Sequence, residues 1–124
     1  MRYLSSQWIR AADAAVKAAS STAPEGRVVV DQLVRDVADY RVSIGRNACS
    51  ITALVGGLPA PDAVFRQSGD TARAVAQGTT DAHQAFLLGQ ITFEGDIGVL
   101  IERRDAFTWL ATVLEPLLAQ TSFD

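Results

Sequence analysis

The chain has one cysteine, one histidine, one methionine and one lysine among its 124 residues, and each scarcity closes off a class of function. With Cys49 alone no intrachain disulfide can form, which is compatible with a reducing compartment. One histidine and one cysteine do not make a metal site of nitrogen and sulfur ligands. His83 falls inside a short helical stretch and reads as exposed and inert. Cys49 alternates with Ile51 and Ala53 and reads as a small core hydrophobe. Lys17 is the only lysine, the net charge is −3 and the sequence pI is about 5.0. Binding to a nucleic-acid backbone needs clustered Lys and Arg, so nucleic acid is not an expected partner. The same acidity leaves room for no more than transient contact with an anionic membrane. No long apolar run occurs. The opening MRYLSSQWIRAADAAVK scatters charge through its length, which excludes a signal peptide or a membrane span there and points to a soluble, cytoplasmic protein.

Catalytic signatures are missing as well. There is no G-x-S-x-G elbow, no G-x-G-x-x-G and no lysine-bearing phosphate loop. The Gly56-Gly57 pair is followed by Leu58-Pro59-Ala60-Pro61, which is a crossover rather than a capped helix. Asp62, Asp70, Asp81 and Asp96 are each explained by a turn or a helix cap. The sequence therefore predicts no catalytic residue, no cofactor and no metal.

What is present is the composition of a globular domain: 48% hydrophobic residues against 20% charged, and a mean hydropathy of +0.14. At 13.2 kDa the chain fits a single domain over residues 1–124, large enough for its own core. Leu4, Trp8, Ala12, Ala15, Val16 and Ala19 form a helical stripe over residues 3–20, with Ser5 as cap and Leu4 and Ile9 in the staple positions. After Pro24-Glu25-Gly26, a first strand is expected over Arg27 to Val34. Alternation then predicts strands over Tyr40 to Arg46 and Cys49 to Val55, joined by a turn at Gly45-Arg46-Asn47-Ala48. Short loops make these three an antiparallel meander, and its Ser43, Ser50 and Thr52 face is expected to be wet. A fourth strand is expected around Ala63 to Gln67, followed by short helices over Asp70 to Gln77 and Asp81 to Leu88, each with an acidic cap.

Asp81 to Ile101, DAHQAFLLGQITFEGDIGVLI, is the best-marked stretch. Asp81 caps a helix with Gln84 at its third position, and Gly89 sits where a left-handed residue would stop it. Gln90 to Glu94 alternates as a strand with Ile91 and Phe93 on one face. Gly95 turns the chain, and Asp96 caps a helix starting near Ile97. In the last segment Phe107, Leu110, Val113, Leu114 and Leu117 continue at helical spacing. Pro116 is expected to end or kink that helix, leaving the tail from Leu117 as a flap or a frayed end.

The matching residues Ala85, Phe86, Gly89, Ile91, Phe93, Gly95, Asp96, Ile97 and Gly98 resemble the closing motif of the type-two sterol carrier protein family. Pro61-Asp62-Ala63-Val64-Phe65 is similar to that family's strand, and Asp70 to Gly78 to the short helix after it. The resemblance covers Pro61 to Ile101; before it only the order of elements agrees. It implies an α+β sandwich in which a five-stranded, mainly antiparallel sheet is covered on one face by helices over an apolar tunnel. It further implies a non-catalytic carrier of a fatty acyl chain, sterol or similar lipid. The tunnel walls would come from Phe86, Phe93, Ile97, Leu100 and Ile101, with Phe107, Leu110 and Leu114 of the last helix closing one mouth. Gln90 and Thr108 are the polar side chains offered to its interior. The alternative expectation is a module of the same fold with a filled tunnel, serving as a homodimer or as the partner of an enzyme.

Overall fold

The computed structural model describes residues 1–123. Its order is α1 (Ser6–Ala18), a 3-10 turn (Ser20–Thr22), β1 (Val28–Arg35), β2 (Ala38–Ile44), β3 (Ser50–Ala53), β4 (Ala63–Ser68), α2 (Gly69–Ala76), α3 (Ala82–Leu87), β5 (Ile91–Gly95), α4 (Ile97–Glu102) and α5 (Arg104–Ala119). The strands form one sheet in the order β3-β2-β1-β4-β5. β1, β2 and β3 are the expected antiparallel meander, and β4 and β5 are antiparallel to each other. Between them β1 and β4 run parallel, because the crossover over residues 54–62 carries the chain back along the sheet before β4 begins.

Register explains the two faces of the sheet. Val28, Val30 and Val34 of β1, Val42 and Ile44 of β2, Ile51 of β3 and Ala63 of β4 are all buried, and they share one face. The helices lie on that side. α1 lies over β3 and packs on α5, α2 covers β4 and β1, and α3 sits against β5. The α1 stripe buries Trp8, Ile9, Ala12 and Val16, and the fully buried Ala12 and Ala106 mark where small side chains let helices come close. Ser5 caps α1 by accepting from the Trp8 amide at 3.1 Å. Asp13 reaches across from α1 and accepts from the Ile51 amide at 2.9 Å, satisfying a backbone donor on the edge strand β3, where an open edge would invite further pairing.

Among the described residues no helix covers the opposite face, yet it is less wet than alternation suggests. Ser43 is buried, not solvated, and accepts from Arg27 Nε at 3.3 Å. Beside it the Asp31–Arg41 pair closes a two-point contact at 2.7 and 3.1 Å, with side chains only 7% and 13% exposed. Long arginine stems cover this face while their heads are held by carboxylates and hydroxyls, a use of the side chain that polar/apolar alternation cannot register. Arg66 and Glu94 make a more exposed pair across β4 and β5.

Three local expectations need correction. Ser68, not Asp70, caps α2, accepting from the Thr71 amide at 3.1 Å; Asp70 lies in the first turn and pairs with Arg73. Pro116 does not end the last helix, since α5 continues to Ala119. The turn beyond it is retained because Leu117 and Leu118 pack on the core and Trp8 Nε1 donates to Thr121 Oγ1 at 3.0 Å. The tail is likewise not a flap. Tyr3 N donates to Ser122 O at 2.9 Å, Ser122 N donates to Met1 O at 2.7 Å, and Tyr3 stacks on Phe123 with ring centroids 5.1 Å apart. Residues 1–3 and 122–123 are tied together, and Asp124 lies outside the described residues. Among the described residues no helix is long and apolar enough to cross a membrane.

Candidate functional site

Around β5 apolar side chains of the flanking helices remain uncovered, Phe86, Leu87, Ile97 and Ile101 among them. Phe65 of β4 and Phe93 of β5 are register partners, and their rings lie 5.4 Å apart at 55°, forming a floor. One wall is α3. Asp81 caps it by accepting from the Gln84 amide at 2.7 Å, Gly89 ends it at φ +75°, and Gln90 N donates to Ala85 O at 2.9 Å. Ala85 is fully buried and serves as the contact by which α3 sits on the sheet. With Ala85 turned to the sheet, Phe86 and Leu87 are left exposed.

The second wall is α4, positioned by the turn at Gly95. That residue has φ +121°, and a Cβ there would lie 2.5 Å from the Asp62 carbonyl oxygen. Only glycine tolerates both the conformation and the approach. Asp62 is fixed in turn, with its Oδ2 accepting from the Val29 amide at 2.8 Å. Asp96 accepts from the Gly98 amide at 2.8 Å and starts α4, which presents Ile97, Leu100 and Ile101.

Floor and walls enclose a cleft of about 410 Å³ lined by Phe65, Ala82, His83, Phe86, Leu87, Phe93, Ile97, Leu100 and Ile101. It is an open cleft, and among the described residues it is not closed into the tunnel that the resemblance implies. Leu87 is 74% exposed and Ile101 71%, so the mouth is rimmed by side chains that still face water. A second hollow of about 280 Å³ beside the start of α1 mixes Arg2 and Arg73 with Asp36 and has no apolar character to match.

The structure brings together Phe86, Phe93, Ile97, Leu100 and Ile101 on this cleft. It places Phe107, Leu110 and Leu114 elsewhere: they pack on the main core with Trp109 and Val113. The reason is the anchoring of α5, whose Ala106 is fully buried and whose Trp109 Nε1 donates to Thr22 Oγ1 at 3.0 Å. Gln90 and Thr108, the polar candidates for the interior, are both exposed. Sequence reasoning passed over Phe65, Ala82, His83 and Leu87 as lining residues. For Phe65 a signal existed, since it alternates within a strand, but its partnership with Phe93 appears only when β4 and β5 are adjacent. Also unforeseen is a polar pair on the helix-covered face, where Gln67 Nε2 donates to Gln32 Oε1 at 2.9 Å.

No family model matches the chain, and no curated protein is similar to it in sequence. Solved structures are. A conserved hypothetical protein from Thermus thermophilus, considered a candidate sterol carrier protein, superposes with a TM-score of 0.62 at 16% identity, covering 100% of this chain and 92% of that one. A crystal structure of sterol carrier protein 2 gives 0.61 at 20% identity over 90% of this chain and 96% of that one. The ubiquinone synthesis protein UbiJ, described as UbiJ-SCP2, gives 0.56 at 12% identity over 85% and 93%. Superposition over most of both chains points to one architecture: this chain has the sterol carrier protein 2 fold.

Proposed function

We propose that the chain binds an apolar ligand, a fatty acyl chain, sterol or similar lipid, in the cleft between α3, α4 and the β4–β5 floor, and carries it without transforming it. The observation that supports this is the cleft itself: about 410 Å³ lies within the roughly 300–1,000 Å³ range of small-molecule sites, and its walls are almost wholly carbon. Phe86, Phe93, Ile97, Leu100 and Ile101 are the proposed ligand contacts, joined by Phe65 and Leu87. His83 is the one ionisable side chain on the wall. An imidazole without a second titratable group beside it fits a binding site better than acid–base chemistry, which needs positioned partners. Among the described residues no cluster of His, Cys, Asp and Glu is suited to a metal ion.

An acyl chain of about fourteen methylenes, fully buried, gains roughly 0.8 kcal/mol per group, or about 11 kcal/mol. An open cleft covers only part of that chain, and association costs about 4–15 kcal/mol. Micromolar affinity or weaker follows. Native mass spectrometry of the purified protein, together with displacement of a fluorescent fatty acid, tests the reading. Absence of both a co-purified lipid and any saturable displacement of the fluorescent fatty acid would overturn it.

The exposed rim favours a second reading. Leu87, Leu88, Ile97 and Ile101 are each more than half exposed, as expected of a module whose apolar face is covered by a second copy or an enzyme partner. Sedimentation at micromolar concentration separates the two: a dimer that forms without lipid and excludes the fluorescent fatty acid favours the module.

A further inference from the structure

The sheet has two edges, and the chain treats them differently. β3 is short, lies under α1 and has its Ile51 amide taken up by Asp13. β5 has no such protection. It pairs with β4 on one side only, and among the described residues no hydrogen bond reaches the amides and carbonyls of its outer side. Its residues, Ile91–Gly95, include no proline and a single charge, Glu94, whose carboxylate is held by Arg66 of β4 at 3.0 Å.

The surface on either side of this open edge is apolar. Among the described residues nine large hydrophobic side chains are exposed, and five of them, Phe86, Leu87, Leu88, Ile97 and Ile101, flank β5 in sequence with exposures from 42% to 74%. α3 leads into β5 and α4 leaves it, and both stand on the helix-covered face beside Phe93. A second copy laid antiparallel along β5, about a two-fold axis through Phe93, therefore brings the end of α3 on one copy beside α4 on the other, and does so twice. The patch is apolar on both sides of that match, the self-complementarity that an isologous contact needs. Charge favours the same register: centred on Phe93, Glu94 faces Thr92 of the second copy, whereas centring on Glu94 would set two carboxylates directly opposite each other. Covering the five side chains removes on the order of 600 Å² per copy, about 1,200 Å² in all, which reaches the lower end of stable interfaces before the strands themselves are counted.

We propose that β5 is a dimerisation edge: two copies of this chain pair antiparallel through β5 into one continuous sheet, with the α3 and α4 rims of the two copies packed on each other. This rests on the reading of the exposed rim as a covered face. A single contact answers both observations, because the pairing that gives the outer amides and carbonyls of β5 their partners also takes Leu87, Leu88, Ile97 and Ile101 out of water. An apolar partner without a strand would cover the rim and leave the edge open.

The test uses the full chain. Sedimentation equilibrium at micromolar concentration is expected to give twice the 13.2 kDa mass of the chain, and Leu88→Asp, outside the cleft lining, to weaken association about tenfold or more. Thr92→Cys and Glu94→Cys, made in separate chains, read the register. Both positions are exposed, and the pairing sets them opposite each other with Cα atoms about 4.5–5.5 Å apart, within reach of a disulfide. Mixed and oxidised with copper–phenanthroline, the two variants should link into a dimer. Either variant alone places its two cysteines about 7–8 Å apart along the diagonal and should not; Cys49 is buried, and the parent serves as the blank. Hydrogen exchange on the unaltered chain gives the same answer without a substitution, since the β5 amides should become protected as concentration rises through the dimer transition. A dimer whose mixed variants link no better than the single ones, or whose β5 amides stay unprotected, overturns the β5 pairing and leaves the reading of a covered rim standing. A chain that stays monomeric to about 100 µM overturns the second copy as the occupant, and flotation of that monomer with phosphatidylcholine vesicles would assign the rim to a bilayer instead.

Discussion

Ending the chain at Pro116 distinguishes a structural tail from a lid. The deletion removes Leu117 and Leu118, which pack half-buried on the core. Full burial of a leucine is worth about 1.5–3 kcal/mol, so two half-buried ones contribute about 2 kcal/mol together. The loss of Thr121 also strips the acceptor from the indole of Trp8, a residue only 3% exposed. A buried donor left without its partner costs about 1–3 kcal/mol. The Tyr3–Phe123 ring contact adds about 0.5–1.5 kcal/mol. The sum is about 5 kcal/mol, a large share of the roughly 5–15 kcal/mol that holds a domain folded. At roughly 4 °C per kcal/mol for a chain of this size, the melting temperature should fall by about 20 °C. Thermal melts followed by circular dichroism measure this directly, and dissociation of a bound fluorescent fatty acid is followed in parallel. A shortened chain that melts within a few degrees of the parent but releases ligand much faster would refute the reasoning and restore the tail as a gate.

Phe93→Ala should cost about 2 kcal/mol, below the roughly 3–5 kcal/mol of a fully buried phenylalanine, because this ring is only half-buried and one side faces the cleft. Ligand affinity should drop with it; unchanged displacement of a fluorescent fatty acid would remove Phe93 from the site. Asp31→Ala strands the guanidinium of Arg41 on a closed face and should cost about 3–5 kcal/mol, whereas the double variant Asp31→Leu, Arg41→Leu should recover most of that. Urea melts in which the single and double variants are equally stable would contradict this. Burial pushes the Tyr3 hydroxyl up from 10.0 to about 12 and raises that of Tyr40 as well. In the unfolded chain both lose their protons near 10.0, so their contribution is complete below that pH and is lost as pH rises through the folded values. Melts between about pH 9 and 12 should show falling stability, and a flat profile would count against the burial of both rings.

Local chemistry was legible wherever the chain decides its own path. Ser5, Asp81 and Asp96 cap their helices, Gly89 takes positive φ, and the turn at Gly45–Ala48 closes with Ala48 N donating to Gly45 O at 2.9 Å. These depend on a side chain and a backbone group within a few residues of each other, so the sequence contains both partners. Alternation located β2, β3 and β5 and the breaks around them located β1 and β4, each to within a few residues, and the resemblance over Pro61 to Ile101 implied the architecture that the tertiary structure has. What alternation could not supply is which strands are neighbours. The Phe65–Phe93 floor, the Gln32–Gln67 pair and the Asp31–Arg41 closure each join residues on different strands, and each exists only because of the strand order.

The last helix shows the same limit from the other side. Phe107, Leu110 and Leu114 have helical spacing whether they face a cavity or a core, and Pro116 breaks an isolated helix but not one held on both sides of it. Trp8, Thr22 and Thr121 decided the matter by fixing α5 against α1 and the N-terminus. The sequence by itself determined most of the elements and the caps Ser5, Asp81 and Asp96, because those follow from short-range sterics and hydrogen bonds, and its resemblance over Pro61 to Ile101 implied the class of fold. Only the tertiary structure decided which apolar residues are left uncovered as a cleft, because that depends on where helices of fixed length run out over a sheet of fixed width.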